Sequence, residues 1–189
     1  ITRFSYDKVG NILSKTDPRG KTTEYYYDDL YRKIKVIRAD DTDLKYAYDK
    51  VGNKIRKTDG NGNITQYYYN SYDKIRKIEE SGISSPTRYY YNPDGKMVKK
   101  KMANGLVTEY VYNNLNQLVK EIKAGNEINK YKYDSGGNIK SSINSLQTKV
   151  VYNYNKNNQV IRKDYYGPDS SGDYANIPDQ KIQYQYDRA

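Results

Sequence analysis

The stretch Tyr48-Asp49-Lys50-Val51-Gly52-Asn53-Lys54-Ile55-Arg56-Lys57-Thr58-Asp59-Gly60-Asn61-Gly62-Asn63-Ile64-Thr65-Gln66-Tyr67-Tyr68-Tyr69 contains one complete structural unit. Asp49 to Asn53 reads as a turn, because Asp and Asn side chains bond back to the backbone and Gly52 accepts positive φ. Lys54 to Thr58 alternates, with Ile55 apolar between cations, as a short half-buried strand does. Asp59-Gly60-Asn61-Gly62 is a second turn, made of residues that visit left-handed conformations. Asn63 to Tyr69 is a second strand, β-branched and aromatic, with Thr65, Tyr67 and Tyr69 on one face. Helix fits poorly, since Gly and Asn recur where it would have to continue.

The unit recurs along the chain. Anchor tyrosines followed by Asp or Asn stand at Tyr6, Tyr27, Tyr48, Tyr69, Tyr91, Tyr112, Tyr133, Tyr154 and Tyr186, separated by 21, 21, 21, 22, 21, 21, 21 and 32 residues. Two positions before each sits another aromatic: Phe4, Tyr25, Tyr46, Tyr67, Tyr89, Tyr110, Tyr131, Tyr152 and Tyr184. A fixed period means that each unit buries its face against its neighbours rather than in a private core. The fold class expected is all-β: an extended, coiling antiparallel β-strip of tandem two-stranded repeats. It forms a single array over residues 1–189, about nine copies with the first and last incomplete, in roughly seventeen or eighteen strands. The apolar strand position recurs as Leu13, Ile34, Ile55, Val98, Val119 and Ile161, with Ile75 and Ile139 one residue early. Two turns look degenerate: Leu30-Tyr31-Arg32 lacks glycine, and Asn70-Ser71-Tyr72-Asp73 reads as shortened.

Composition agrees with a fold built on tyrosine. A formal charge of +10 and few aliphatic residues would by themselves lean toward disorder. The 25 tyrosines reverse that expectation, because each ring carries a large apolar area and a hydroxyl that tolerates water. Lysines and arginines are spread through every unit, with Lys99-Lys100-Lys101 the densest run. They read as solvated strand faces that resist aggregation, or else as attraction to an anionic polymer. Acids are mixed among them too evenly for a nucleic-acid footprint. No run of about 18 apolar residues is present, so no transmembrane segment is expected.

Chemistry is scarce. With no His and no Cys, Ser-His-Asp, Cys-His and thiolate or imidazole metal sites are removed. The acids recur in turns, where a backbone role accounts for them, and Asp59 to Asn70 lacks the glycine and glutamate of a calcium loop. The expectation is a non-enzyme without metal or cofactor. One break in the period, at about 164–180, adds a Gly-, Pro- and Ser-rich insertion at a hairpin tip. It is a passive loop, or a binding loop built around Tyr165, Tyr166 and Tyr174. Tyr26, Tyr68 and Tyr90 lie on the face opposite their neighbours and are better placed to touch something outside the strip.

Tyr6-Asp7-Lys8-Val9-Gly10-Asn11, Asp17-Pro18-Arg19-Gly20 and Thr23-Glu24-Tyr25-Tyr26-Tyr27-Asp28 resemble, nearly position for position, the motif of the YD-repeat, or Rhs-repeat, family. The resemblance runs through nine registered copies. It implies a strip that forms part of a hollow shell, as in Rhs toxins, insecticidal toxin complexes, wall-associated bacterial proteins and teneurins. It implies a secreted or cell-surface protein whose partner is an enclosed toxin or passenger of the same parent chain. Adhesion to a cell-wall glycan or anionic wall polymer is the alternative. The shell-closing region of the family, with its self-cleaving aspartates, has no counterpart, and Asp17-Pro18-Arg19-Gly20 is read as a turn. An excerpt of a shell wall, or a short array, is therefore expected. Its terminal strands, at Ile1 to Asp7 and Lys181 to Asp187, are expected to self-associate as bare edges or to be covered by loops.

Overall fold

The computed structural model describes residues 1–168, 174 and 178–186. Seventeen strands occur among them. β1 to β9 span Arg3–Tyr6, Ile12–Thr16, Thr22–Tyr27, Lys33–Ile37, Asp43–Tyr48, Lys54–Thr58, Ile64–Tyr69, Ile75–Glu80 and Thr87–Tyr91. β10 to β17 span Met97–Lys101, Val107–Tyr112, Leu118–Lys123, Asn126–Tyr133, Ile139–Asn144, Lys149–Tyr154, Val160–Tyr166 and Gln180–Gln183. The chain is all-β and antiparallel, as the alternating pattern requires. By its contacts it divides into two units, Ile1–Tyr89 with Met102–Asn104, and Tyr90–Lys101 with Gly105–Ala189. In the first unit each strand from β1 pairs with its successor through to β9. In the second, β10 to β17 do the same.

Neither unit has a conventional core. Among the described residues Val36 is the only buried apolar side chain, at 8 % exposure. It pairs with Tyr25 on one side and Leu44 on the other. Stability therefore comes from half-buried rings and from hydrogen bonds distributed along the strip.

The turns show how. At Asp7 the backbone N–H bonds the Asn11 carbonyl at 2.9 Å, and the Gly10 N–H bonds the Asp7 carbonyl at 3.2 Å. Gly10 has φ 95°, so the loop is a type I turn closed by a left-handed residue. The same pair of bonds recurs at Asp17, Asp28, Arg38, Asp49, Asp59, Asn70, Asn92, Asn113, Asp134, Asn144 and Asn155. Both turns of these repeats are thus of one type, whereas the hairpins at Ser81 and Ala124 differ, those N–H groups bonding the Ile64 and Val107 carbonyls at 2.9 Å. The two turns that look degenerate are of full length: Tyr31 (φ 57°) and Asp73 (φ 54°) occupy the left-handed position that glycine holds elsewhere. Loss of glycine changed the strain, not the turn.

The recurring apolar strand position also differs from the expected half-buried one. Ser5 pairs with Ser14, but the next residue, Tyr6, pairs with Ile12, so Leu13 is skipped. Ile34, Ile55, Arg76, Val119, Lys140 and Ile161 are skipped in the same way. The position is a β-bulge, which adds one unpaired residue and increases local twist. Leu13, Ile34, Ile55 and Ile161 are accordingly exposed rather than half-buried. Ile75 and Ile139, one residue early, fill the place paired directly with the anchors Tyr69 and Tyr133.

Candidate functional site

Among the described residues each Asp or Asn of the repeat dipeptide organises its own turn. The Asp7 carboxylate accepts the N–H groups of Val9 (3.0 Å) and Asn11 (2.8 Å) on Oδ1, and the Asn11 amide (2.8 Å) on Oδ2. Asp49 and Asp134 repeat this with Asn53 and Asn138. Where the anchor is Asn, its Oδ1 still accepts two backbone N–H groups but its amide must donate. At two of the four Asn anchors the fourth residue on is a side-chain acceptor: Asn113 donates to Gln117 at 2.8 Å and Asn155 to Gln159 at 2.7 Å. The Asn11 amide holds the Asp7 carboxyl below the usual carboxylate range, as the Asn63 amide does for Asp59. At Asp28 and Asp49 burial opposes ionisation, yet the hydrogen bonds from Arg32 and Asn53 outweigh it and bring both below that range.

The anchor tyrosines tie one turn to the preceding one. The hydroxyls of Tyr27, Tyr48, Tyr69, Tyr112, Tyr133 and Tyr154 donate to the carbonyls of Ile12, Lys33, Lys54, Met97, Leu118 and Ile139, at 2.7–2.9 Å and always fifteen residues back. Tyr186, beyond the insertion, reaches Val160 at 2.9 Å. Burial raises the six phenols above the ordinary tyrosine value. Tyr6, at the end of β1, is exposed and lies 6.3 Å from the Phe4 ring. Tyr91 closes β9, in which Tyr89 also lies.

Rings two positions earlier form the other part of the ladder. Tyr25 lines up with Val36 and Leu44, Tyr46 with Lys57 and Thr65, Tyr67 with Ile78 and Thr87. In the second unit Tyr110, Tyr131 and Tyr152 line up with Glu121, Ser142 and Lys163. Lysines cover several of these rings: Lys33 sits 4.4 Å from the Tyr25 centroid and Lys54 5.0 Å from that of Tyr46. Lys163 lies between Tyr152 (5.7 Å) and Tyr184 (5.3 Å). Cation–π contact thus accounts for part of the positive charge. The opposite face of the first unit carries Tyr26, Lys35, Lys45, Arg56, Tyr68, Lys77 and Arg88. There the Tyr26 hydroxyl bonds Glu24 at 2.8 Å, and Lys77 lies 3.7 Å from the Tyr68 ring. Tyr26 and Tyr90 are exposed, whereas Tyr68 is half-buried.

At the insertion, Tyr165 and Tyr166 are residues of β16 and point to opposite faces. Tyr174 forms a bridge with Pro168, and the Lys149 ammonium lies 5.7 Å from the Tyr166 ring and 5.1 Å from that of Tyr174. The structure therefore groups Tyr166 with Tyr174 and leaves Tyr165 apart. The remainder of the insertion, 169–173 and 175–177, and the last dipeptide's Asp187 lie outside the described residues. Asp164 beside it is 3 % exposed, bonds Arg162 (3.0 Å) and Asn153 (3.2 Å) through Oδ2, and among the described residues has no partner at Oδ1. Nothing in the sequence pattern marked it.

Hollows open beside the bulges. One of about 720 Å³ is lined by Leu13, Ser14, Glu24, Tyr26, Asp28 and Tyr31, among others. One of about 750 Å³ in the second unit is lined by Ile161, Arg162, Gln183 and Tyr184 in the same phase. Among the described residues no group of three or more acids, His or Cys could hold a metal ion, and no helix is long and apolar enough to cross a membrane.

A strip with the same dipeptide turn and the same tyrosine bond at a fixed period is a tandem-repeat array. The family model described as RHS Repeat (the YD-repeat) matches residues 6–43, and the same turn and bond recur beyond that segment to Tyr154. No curated protein matches it in sequence. Its fold is similar to crystal structures of TcdB2-TccC3 (TM-score 0.61, 13 % identity, 98 % of this chain and 12 % of that one) and of TcdB2-TccC3-TEV (0.60, 13 %, 98 % and 12 %). It is also similar to the Photorhabdus luminescens Tc holotoxin pore (0.51, 19 %, 92 % and 9 %). The chain spans about an eighth or less of the length of these structures.

Proposed function

We propose that the chain is one tandem array of wall-forming repeats in an exported or surface-displayed protein, and that the wall encloses a toxin or passenger segment of the same parent chain. The observation that carries the reading is the repeated turn and tyrosine bond, which extends a sheet indefinitely without needing a core. Such a strip serves by its area, and its side chains are engaged in holding it together. The likeness in fold to TcdB2-TccC3 supports it. In the full parent polypeptide the passenger segment should resist a broad-specificity protease until the strip is cut or denatured. Immediate digestion of the passenger beside an intact strip would contradict enclosure.

A second reading, adhesion to a carbohydrate or anionic wall polymer, draws on one observation. Tyr166, Tyr174 and Lys149 form a cluster of two rings and a cation that suits an acidic sugar. A glycan array comparing the wild type with Tyr165→Ala, Tyr166→Ala and Tyr174→Ala variants tests it. Binding that falls with Tyr166 and Tyr174 but not with Tyr165 supports this cluster; equal binding by all, or none, removes it.

A further inference from the structure

Four turns on one margin of the first unit and three on the other are the same turn, the β8–β9 hairpin with its exposed Ile83 being different, so that turn sets no preference for its third residue. On one margin the third residues are Arg19, Asp40 and Asn61, all polar. On the other they are Val9, Leu30, Val51 and Tyr72, with exposures of 61, 67, 75 and 74 %. In the second unit the corresponding positions are Asp94, Leu115, Gly136 and Asn157, so the apolar row belongs to the first unit alone. Exposing four large apolar side chains in a line has a solvation cost that the fold does not require.

The row is held in place. Arg32 Nη1 donates to the Asp49 carbonyl at 3.0 Å, and the Asn53 amide to Asp73 Oδ1 at 2.7 Å, each joining one turn to the next. Successive turns on a margin are two strands apart, so the apolar side chains recur about every 10 Å. The residues just before them are Lys8, Asp29, Lys50 and Ser71. We propose that this margin is a self-complementary interface joining two copies of the chain about a two-fold axis centred between Leu30 and Val51. In that arrangement Leu30 faces Val51 of the second copy and Val9 faces Tyr72. Asp29 then faces Lys50, and each pair occurs twice, as an isologous contact demands. Among the described residues neither Asp29 nor Lys50 forms an ion pair within its own chain. A polymer without this spacing would match neither the row nor its charges.

Sedimentation velocity of the 189-residue chain over a concentration series tests the proposal. The wild type should pass from monomer to dimer. Leu30→Asp and Val51→Asp should each weaken dimerisation by roughly tenfold or more. Asp29→Lys should also weaken it, by setting cations against Lys50, and the Asp29→Lys, Lys50→Asp double variant should restore it. Circular dichroism of each variant establishes that it is folded. All these changes leave the terminal strands intact, so association through bare strand edges would persist in every variant. A wild type that stays monomeric, or variants that associate as the wild type does, would overturn the proposal.

Discussion

The Tyr69 hydroxyl donates a 2.8 Å hydrogen bond to the Lys54 carbonyl, joining the end of one strand to the start of the strand before it. Removing the hydroxyl while keeping the ring isolates this bond. Tyr69→Phe should cost about 1 kcal/mol, because the carbonyl loses its partner in a half-buried place. Tyr26→Phe, whose hydroxyl meets an exposed Glu24, should leave stability unchanged. Urea unfolding midpoints for the two variants check the contrast.

The carboxylate and amide across a turn form a matched pair. Asp59 Oδ2 accepts from the Asn63 amide at 3.0 Å. Asp59→Ala should lower the melting temperature by a few degrees, since two backbone N–H groups lose their acceptor. Asp59→Asn alone requires the exposed Asn63 amide to turn over and accept; adding Asn63→Gln recreates the Asn113–Gln117 arrangement, with its longer reach, and should recover any loss. Thermal melts of the three variants give the comparison.

Left-handed turn positions differ in strain. Gly52 has φ 100° and open space around its missing Cβ, so Gly52→Val is penalised by the backbone alone, by roughly 1–2 kcal/mol. Tyr31 already bears that strain at φ 57°. Tyr31→Gly should therefore be neutral or stabilising, a result readable from the same urea midpoints.

Stability should fall at both extremes of pH, for opposite reasons. Asp7, Asp28, Asp49, Asp59 and Asp134 have lowered pKa values in the folded state. The unfolded chain binds protons first, so their contribution is complete above the unfolded value near 3.9 and is lost as pH falls through the folded values. The anchor phenols Tyr27, Tyr48, Tyr69, Tyr112, Tyr133 and Tyr154 are raised, so their contribution is complete below about pH 10 and is lost as pH rises through the folded values. Denaturation midpoints flat through neutral pH and falling on both sides are expected; a maximum confined to acid would contradict it.

Much of the fold was legible because period, turn residues and strand alternation all repeat, so nine copies corroborate one another. The fifteen-residue reach from Tyr69 to Lys54 was written in that period too, yet only geometry shows where a phenol ends. The bulge at Ile55 was hidden because an aliphatic residue between cations reads equally well as a buried strand position. The lysines over Tyr25 and Tyr46 were hidden for a related reason, since a cation on a solvated edge and one on a ring share the same sequence. Asp164 could not be found at all, as its burial depends on neighbours contributed by other strands.

A coreless strip of this kind is held together turn by turn. Hydrogen–deuterium exchange resolved along the chain tests it most directly. Protection should recur with the repeat, including the Asn11, Asn53 and Asn138 amides, which each give a hydrogen bond of 2.8–2.9 Å to their turn's aspartate. Protection gathered in one patch, with the remaining repeats exchanging freely, would contradict it.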